Sequence, residues 1–169
     1  MQKMKLYHGG LIEVKTPRIM ATDHIGDFGK GFYTTTDLEQ ARRFVVTKCD
    51  RSRETQGVVS YFEVGDDFLK STDFQIRIFR KADEKWARFV EASRRDVNYS
   101  HEYDIVYGPV ADDQVYAGFA LYENDLIDFS ELLNRLKVRK LTDQVLFHTD
   151  RSLSLLKYVG SEVVSCPQK

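Results

Sequence analysis

Cysteine, proline and long apolar runs are all scarce in this 169-residue chain, and each scarcity closes off a class of protein. The 2 cysteines, Cys49 and Cys166, are too few and too far apart in sequence for a disulfide framework or a zinc site, so a reducing cytoplasm is the expected setting. No apolar run reaches roughly eighteen residues, so no membrane span is expected. Met1-Gln2-Lys3-Met4-Lys5 leads into a strand pattern without an apolar stretch of secretory length. Charge of one sign is lacking too. The 25 Lys and Arg oppose 26 Asp and Glu, which leaves no global positive field for nucleic acid or an anionic membrane. Basic clusters at Arg42-Arg43, Lys48, Arg51 and Arg53, at Arg94-Arg95 and at Lys137-Arg139-Lys140 read first as solvated helix faces. His24, His101 and His148 have no ligand spacing with one another or with cysteine, so no metal is expected. Internal repeats and low-complexity segments are absent, and the length suits one core, hence a single domain over residues 1–169.

What is present is a mixture of strand and helix patterns. Lys3 to His8 alternates as a strand, with Met4, Leu6 and His8 on one face. A long irregular stretch follows; function is the preferred reading of it, because it delivers Tyr33 at its end. Asp37-Leu38-Glu39-Gln40 reads as a capping box opening a helix from Leu38 to about Lys48, with Ala41, Phe44 and Val45 on its buried side. Gly57 to Val64 and Ile76 to Phe79 read as strands. Trp86, Phe89, Val90 and Ser93 mark one helix face, on which the tryptophan is core rather than ligand platform. Asp104 to Tyr107 is a strand expected to stop at Gly108-Pro109. Helices are expected over Gln114–Tyr122 and Ser130–Lys137 and a strand over Gln144–Phe147. Thr149 is expected to cap a helix through about Tyr158, with Leu153, Leu156 and Val159 inward. Without a regular βαβ rhythm, the expected class is an antiparallel α+β fold.

Two glycine-bearing segments stand out, Leu6-Tyr7-His8-Gly9-Gly10 and Asp27-Phe28-Gly29-Lys30-Gly31-Phe32-Tyr33-Thr34-Thr35. Each sets a side chain with ring or hydroxyl chemistry, His8 or Tyr33, beside glycines whose bare backbone admits a ligand closely. Singly, each has a plain reading: a strand ending in a structural histidine, and a turn whose glycines supply positive φ. The phosphate-loop spacing G-x-x-x-x-G-K-[ST] is absent. Jointly they point to a nucleotide pocket. With these residues in place, the chain resembles the ADP-ribosyltransferases of the poly(ADP-ribose) polymerase and diphtheria-toxin type. The run Asp27 to Thr35 with Gln40-Ala41, the run Tyr103 to Asp112 and the run Gln144 to Thr149 are similar to a bacterial branch associated with toxin–antitoxin pairs, so the resemblance covers nearly the whole chain. It implies split antiparallel sheets with flanking helices and an NAD cleft between them.

The resemblance further implies NAD as co-substrate. In it His8 hydrogen-bonds the adenosine-side ribose, the Gly9 backbone grips the nicotinamide carboxamide, and Tyr33 stacks on the nicotinamide ring. Phe44 closes the other side of that sandwich, with a plain core role as its alternative. Lys30 and Gly31 form the glycine turn, where the Lys30 ammonium meets pyrophosphate or ribose, or else is solvated. The chain departs from the polymerases in the third segment, where Gln144 stands in place of their glutamate. A glutamine can orient a ribose 2′-hydroxyl but cannot take a proton or offer negative charge to the oxocarbenium that forms as nicotinamide leaves. Transfer of one ADP-ribose is therefore expected, without chain elongation. Asp104 and Asp112 are reserve carboxylates, Asp112 being favoured for ligand binding, with capping and turn formation as their alternatives. His148 shares a strand face with Gln144 and is a lesser candidate. The expected function is mono-ADP-ribosyl transfer to a macromolecule, protein or nucleic acid, by the toxin of a toxin–antitoxin pair that an antitoxin protein restrains. An NAD glycohydrolase and a non-catalytic NAD or ADP-ribose-binding module stay open as alternatives.

Overall fold

The computed structural model describes residues 2–19, 26–96, 100–137 and 140–167. Met1, His24 and Arg139, named above, lie outside them. In chain order the strands are β1 (Lys3–Gly10), β2 (Phe32–Thr34), β3 (Gln56–Gly65), β4 (Ile76–Ile78), β5 (Ile105–Pro109), β6 (Asp143–Phe147) and β7 (Lys157–Ser165). The helices are α1 (Leu38–Ser52), α2 (Glu84–Arg95), α3 (Asp113–Glu123), α4 (Phe129–Lys137) and the single turn α5 (Asp150–Leu153). The strands form two sheets, β1-β3-β7 and β2-β6-β5-β4, and the class is α+β. Among the described residues no helix is long and apolar enough to cross a membrane.

Every strand pairing is antiparallel except β4 with β5, which is parallel. That exception follows from connectivity, because α2 lies between those strands and a helical crossover returns the chain in the same direction. β5 also runs on through Gly108 and Pro109 instead of stopping before them, pairing with Gln144 and Asp143. The ladder bonds flanking this stretch involve His148 N to Asp104 O at 2.8 Å and Val110 N to Thr142 O at 2.7 Å. They therefore fall on even-numbered residues of β5, and the missing N–H of Pro109 sits at a non-bonded position.

The strongest departure from expectation is at the C-terminal side. Thr149 does cap α5, accepting from Ser152 N, but the helix ends at Leu153 and Lys157 opens β7. Tyr158, Val159, Val163 and Val164 are aromatic or β-branched, types that sit better on a pleated surface than in a fourth helical turn. The nine-residue strand completes the first sheet against β3.

β6 shows how the second sheet divides the interior. Val145 and Phe147 face the first sheet, in a core with Leu6, Phe32 and Phe62, whereas Leu146 faces a second core under α2–α4 with Phe28, Trp86, Val106 and Phe119. Trp86 is fully buried there, its Nε1 donating to Pro109 O at 3.0 Å. α1 covers the first sheet through Ala41, Val45 and Cys49. Cys49 and Cys166, remote in sequence, meet in this third small core as free thiols. Burial, and then the neighbouring Cys166, pushes the Cys49 thiol up to about 11.

Candidate functional site

His8 is placed by β1 at the fork where the two sheets part. Tyr7 and Thr35 exchange backbone hydrogen bonds of 2.8 and 2.9 Å, the bridge that ties β1 to the chain just after β2. The His8 ring spans the fork, its Nδ1 lying 2.7 Å from the Tyr33 carbonyl and its face stacking on Phe32 at 4.2 Å. A carbonyl can only accept, so Nδ1 carries the hydrogen of that bond. Gly9 has a packing reason to be glycine: a Cβ there would stand 2.4 Å from the Ala41 carbonyl oxygen of α1.

The glycine turn is tied down along its length. Gly26 and Gly29 bond each other's backbone at 3.1 and 3.3 Å. The Tyr33 hydroxyl reaches back into the turn, accepting from Phe28 N at 3.0 Å and donating to Gly29 O. Burial, and then the Asp27 carboxylate, raises that phenol well above its ordinary range. His101 Nε2 reaches Phe28 O at 2.9 Å and His148 Nδ1 reaches Lys30 O at 2.6 Å, with the two imidazoles 4.1 Å apart. Burial lowers the His101 pKa, and the neighbouring His148 lowers it further against the opposing effect of Phe28 O. Gly31 has φ +152°, and a Cβ on it would lie 2.5 Å from both Leu146 Cδ1 and Phe147 O, so β2 and β6 can close only over a glycine. Lys30 beside it is half-buried.

Asp27 enters the core under α2 and α3 from the same turn. Its Oδ2 accepts from Ala111 N at 2.9 Å and from Gln144 Nε2 at 2.8 Å, and its Oδ1 accepts from the Tyr116 hydroxyl. Burial raises the Asp27 pKa, and these three donors, then Arg94, offset part of that. Tyr116 is itself raised by burial and by Asp27. Neither residue carries a visible signal of this role, since Asp27 and Tyr116 are 89 apart and Asp27 and Gln144 are 117 apart. The one available cue is that Asp27 opens the glycine run.

The expected site residues thus fall into two groups. The ring of Tyr33 and Gln144 lie on the α2–α3 side of the second sheet, joined through the Asp27 turn, while the His8 ring lies with Phe32 on the side toward the first sheet. His8 meets Tyr33 through the latter's backbone. Phe44 is 38% exposed and carries Lys48 Nζ 4.9 Å over its ring, rather than lying on the buried side of α1. The helix phase explains this: Ala41, Val45 and Cys49 make a stripe whose centre is about 100° from Phe44. Asp37 does cap α1, accepting from Gln40 N at 3.1 Å, yet Gln40 Oε1 takes Arg43 and Thr142 instead of closing a capping box. Asp112 caps α3, accepting from Val115 N at 2.9 Å. Asp104 is buried beneath Gln75 N, Thr149 Oγ1 and Arg151; burial pushes its pKa up, and those three together hold it below the ordinary value.

A cavity of about 420 Å³ is lined by Asp67, Phe68, Lys70, Asp73 and Leu155, none of them an expected site residue. Among the described residues no cluster of three or more His, Cys, Asp and Glu is arranged to hold a metal ion. A family model described as "Protein of unknown function (DUF3990)" matches residues 4–158. No curated protein matches the chain.

Proposed function

The chain belongs to the DUF3990 family, and we propose that it is an NAD-dependent mono-ADP-ribosyltransferase, with the fork between its two sheets as one wall of the substrate cleft. The observation that carries this reading is His8 at the fork, its ring tied to the β2 backbone through Nδ1 and stacked on Phe32, at the place where the resemblance puts the ribose-binding histidine. NAD fits as a substrate in two further respects. Gly9 brings bare backbone beside His8, and the resemblance assigns to Gln144, which lies on the α2–α3 side of the second sheet, the orienting of a ribose hydroxyl. The reaction breaks the bond between ribose and nicotinamide, with the electron pair leaving on nicotinamide, and joins the ribose to an acceptor that gives up a proton. Gln144 cannot receive that proton, which supports transfer of one unit and not a chain. The acceptor is a macromolecule, protein or nucleic acid, and an antitoxin protein restraining the enzyme belongs to the same proposal.

A second reading, an NAD-binding or ADP-ribose-binding module, is favoured by a specific observation: the Tyr33 hydroxyl and the Gln144 amide nitrogen both bond within the protein. Nicotinamide release from NAD by purified protein separates the two. Release that His8→Ala abolishes while the protein stays folded supports the enzyme. NAD binding without release supports the module, and absence of both refutes each reading. Release without any labelled acceptor, in a lysate given labelled NAD, identifies a glycohydrolase.

A further inference from the structure

We propose that Asp27 is a positioning residue that turns Gln144 into a hydrogen-bond acceptor for a substrate hydroxyl. The inference rests on the NAD reading above and assigns the chemistry of one contact within it.

A side-chain amide has an N–H end and a carbonyl end of nearly the same shape, and its surroundings select which one faces outward. Gln144 Nε2 donates to Asp27 Oδ2 at 2.8 Å, with Pro109 O as a longer second acceptor at 3.4 Å. Both neighbours accept. The amide carbonyl turned toward them would meet a carboxylate and a carbonyl with no hydrogen to share. Asp27 is in turn held as an acceptor, since Ala111 N and the Tyr116 hydroxyl both donate to it. The turn therefore fixes Asp27, Asp27 fixes the amide, and Oε1 is the end that Gln144 can offer a ligand. An acceptor-only contact recognises a donor, in NAD a ribose hydroxyl or an amide or amino N–H and not a carboxamide or phosphate oxygen; at the position that the resemblance gives Gln144 the donor is the ribose hydroxyl.

The same geometry accounts for the absence of a carboxylate at position 144. Negative charge stands one hydrogen bond behind it, on Asp27, where it polarises the amide and strengthens Oε1 as an acceptor. Reach and charge, which a glutamate would combine, are divided between Gln144 and Asp27. A glutamate in that place would instead set two carboxylates 2.8 Å apart, and they could not both ionise there.

The test uses the full chain and the variants Asp27→Asn, Gln144→Glu and the pair together. In the wild type, the Gln144 side-chain amide resonances, assigned from through-bond spectra of the wild type itself, are expected to titrate with a single carboxyl group. In Asp27→Asn they move upfield and lose that titration. Asp27→Asn is expected to lower kcat for nicotinamide release about tenfold or more with KM within a few-fold, the pattern of a contact made mainly in the transition state. Gln144→Glu alone lowers both kcat and the unfolding midpoint. The double variant regains part of both, because the introduced asparagine, its Nδ2 where Oδ2 stood, can donate to the introduced glutamate while its carbonyl accepts from Tyr116, and the Ala111 N–H is left without its acceptor. Wild-type Gln144 resonances that ignore pH, or single and double variants that are equally impaired, overturn the proposal, and the first needs no variant to fold. A wild-type protein that releases no nicotinamide overturns the enzyme reading alone, since the amide titration and the stability rescue still decide the role of Asp27.

Discussion

Tyr33→Phe removes one oxygen and with it the hydroxyl's bonds to Phe28 N and Gly29 O in the turn that carries Asp27. The two losses are unequal. Phe28 has no exposed surface, so its N–H, deprived of the hydroxyl, cannot turn to solvent, and an orphaned buried donor costs about 1–3 kcal/mol. Gly29 O keeps the Gly26 N–H at 3.3 Å, so its share is about 0.5–1 kcal/mol. The expected destabilisation is the sum, about 1.5–4 kcal/mol, which for a domain of this size lowers Tm by roughly 3–16 °C. Urea unfolding followed by circular dichroism measures it, with an unchanged m value showing that the unfolded state is not the cause. Amide exchange at Phe28 should quicken more than exchange in β3, because the lost bond is local to the turn. A loss under about 0.5 kcal/mol with unaltered exchange at Phe28 would refute the reasoning and show that the hydroxyl does not hold the turn. The same variant keeps the ring, so a fall in NAD affinity as large as that of Tyr33→Ala would point to the hydroxyl and not to stacking.

Three other outcomes are expected. The folded pKa of His101 is lowered, so between that value and the unfolded value near 6.5 the unfolded chain binds more protons; stability should fall as pH drops below about 6.5, and His101→Gln should flatten that slope in unfolding measured from pH 8 to 5. Gly31→Ala should cost about 2–4 kcal/mol, from the positive φ together with the 2.5 Å clash against Leu146 and Phe147, read from denaturant midpoints; a near-neutral result would show that β2 can move away from β6. Phe44→Ala should change stability by no more than about 0.5 kcal/mol because the ring is exposed, yet raise KM for NAD if the ring is the outer face of a nicotinamide sandwich; unaltered KM would remove Phe44 from the site.

Local pattern made much of the fold legible. β1 and β3 alternate or run in β-branched residues, the stripe through Trp86 and Val90 has helical spacing, and Asp37 and Thr149 accept from the backbone N–H three positions on in the helices they open. β7 was hidden because Leu153, Leu156 and Val159 also fit a helical spacing, and only the open edge of β3 decides between the two. The parallel β4–β5 pair depends on a crossover that no single segment encodes. In the candidate site, the glycine run and Gln144 were visible as residues, but what they touch was not. The partners of Asp27 come from the loop after β5, from α3 and from β6, and no spacing along the chain announces a carboxylate shared by three such elements. Phe44 was misplaced for a smaller reason: an aromatic near a buried stripe looks like part of it until the helix phase is fixed by Cys49 as well.

The strand order of the second sheet has a consequence in time. β2 is an edge strand whose one ladder partner is β6, and Thr34 and Val145, which meet across that ladder, are 111 residues apart. At a synthesis rate of about 5–20 residues per second, β2 emerges roughly 6–20 s before the strand that secures it. β1 and β3 can pair long before then, so His8 can be in place on a finished strand pair while Asp27 still awaits Gln144. A ribosome-bound chain shorter than the end of β6 would therefore hold half of the fork and none of the Asp27 contact to Gln144, and whatever this site does would begin only after β6 has emerged.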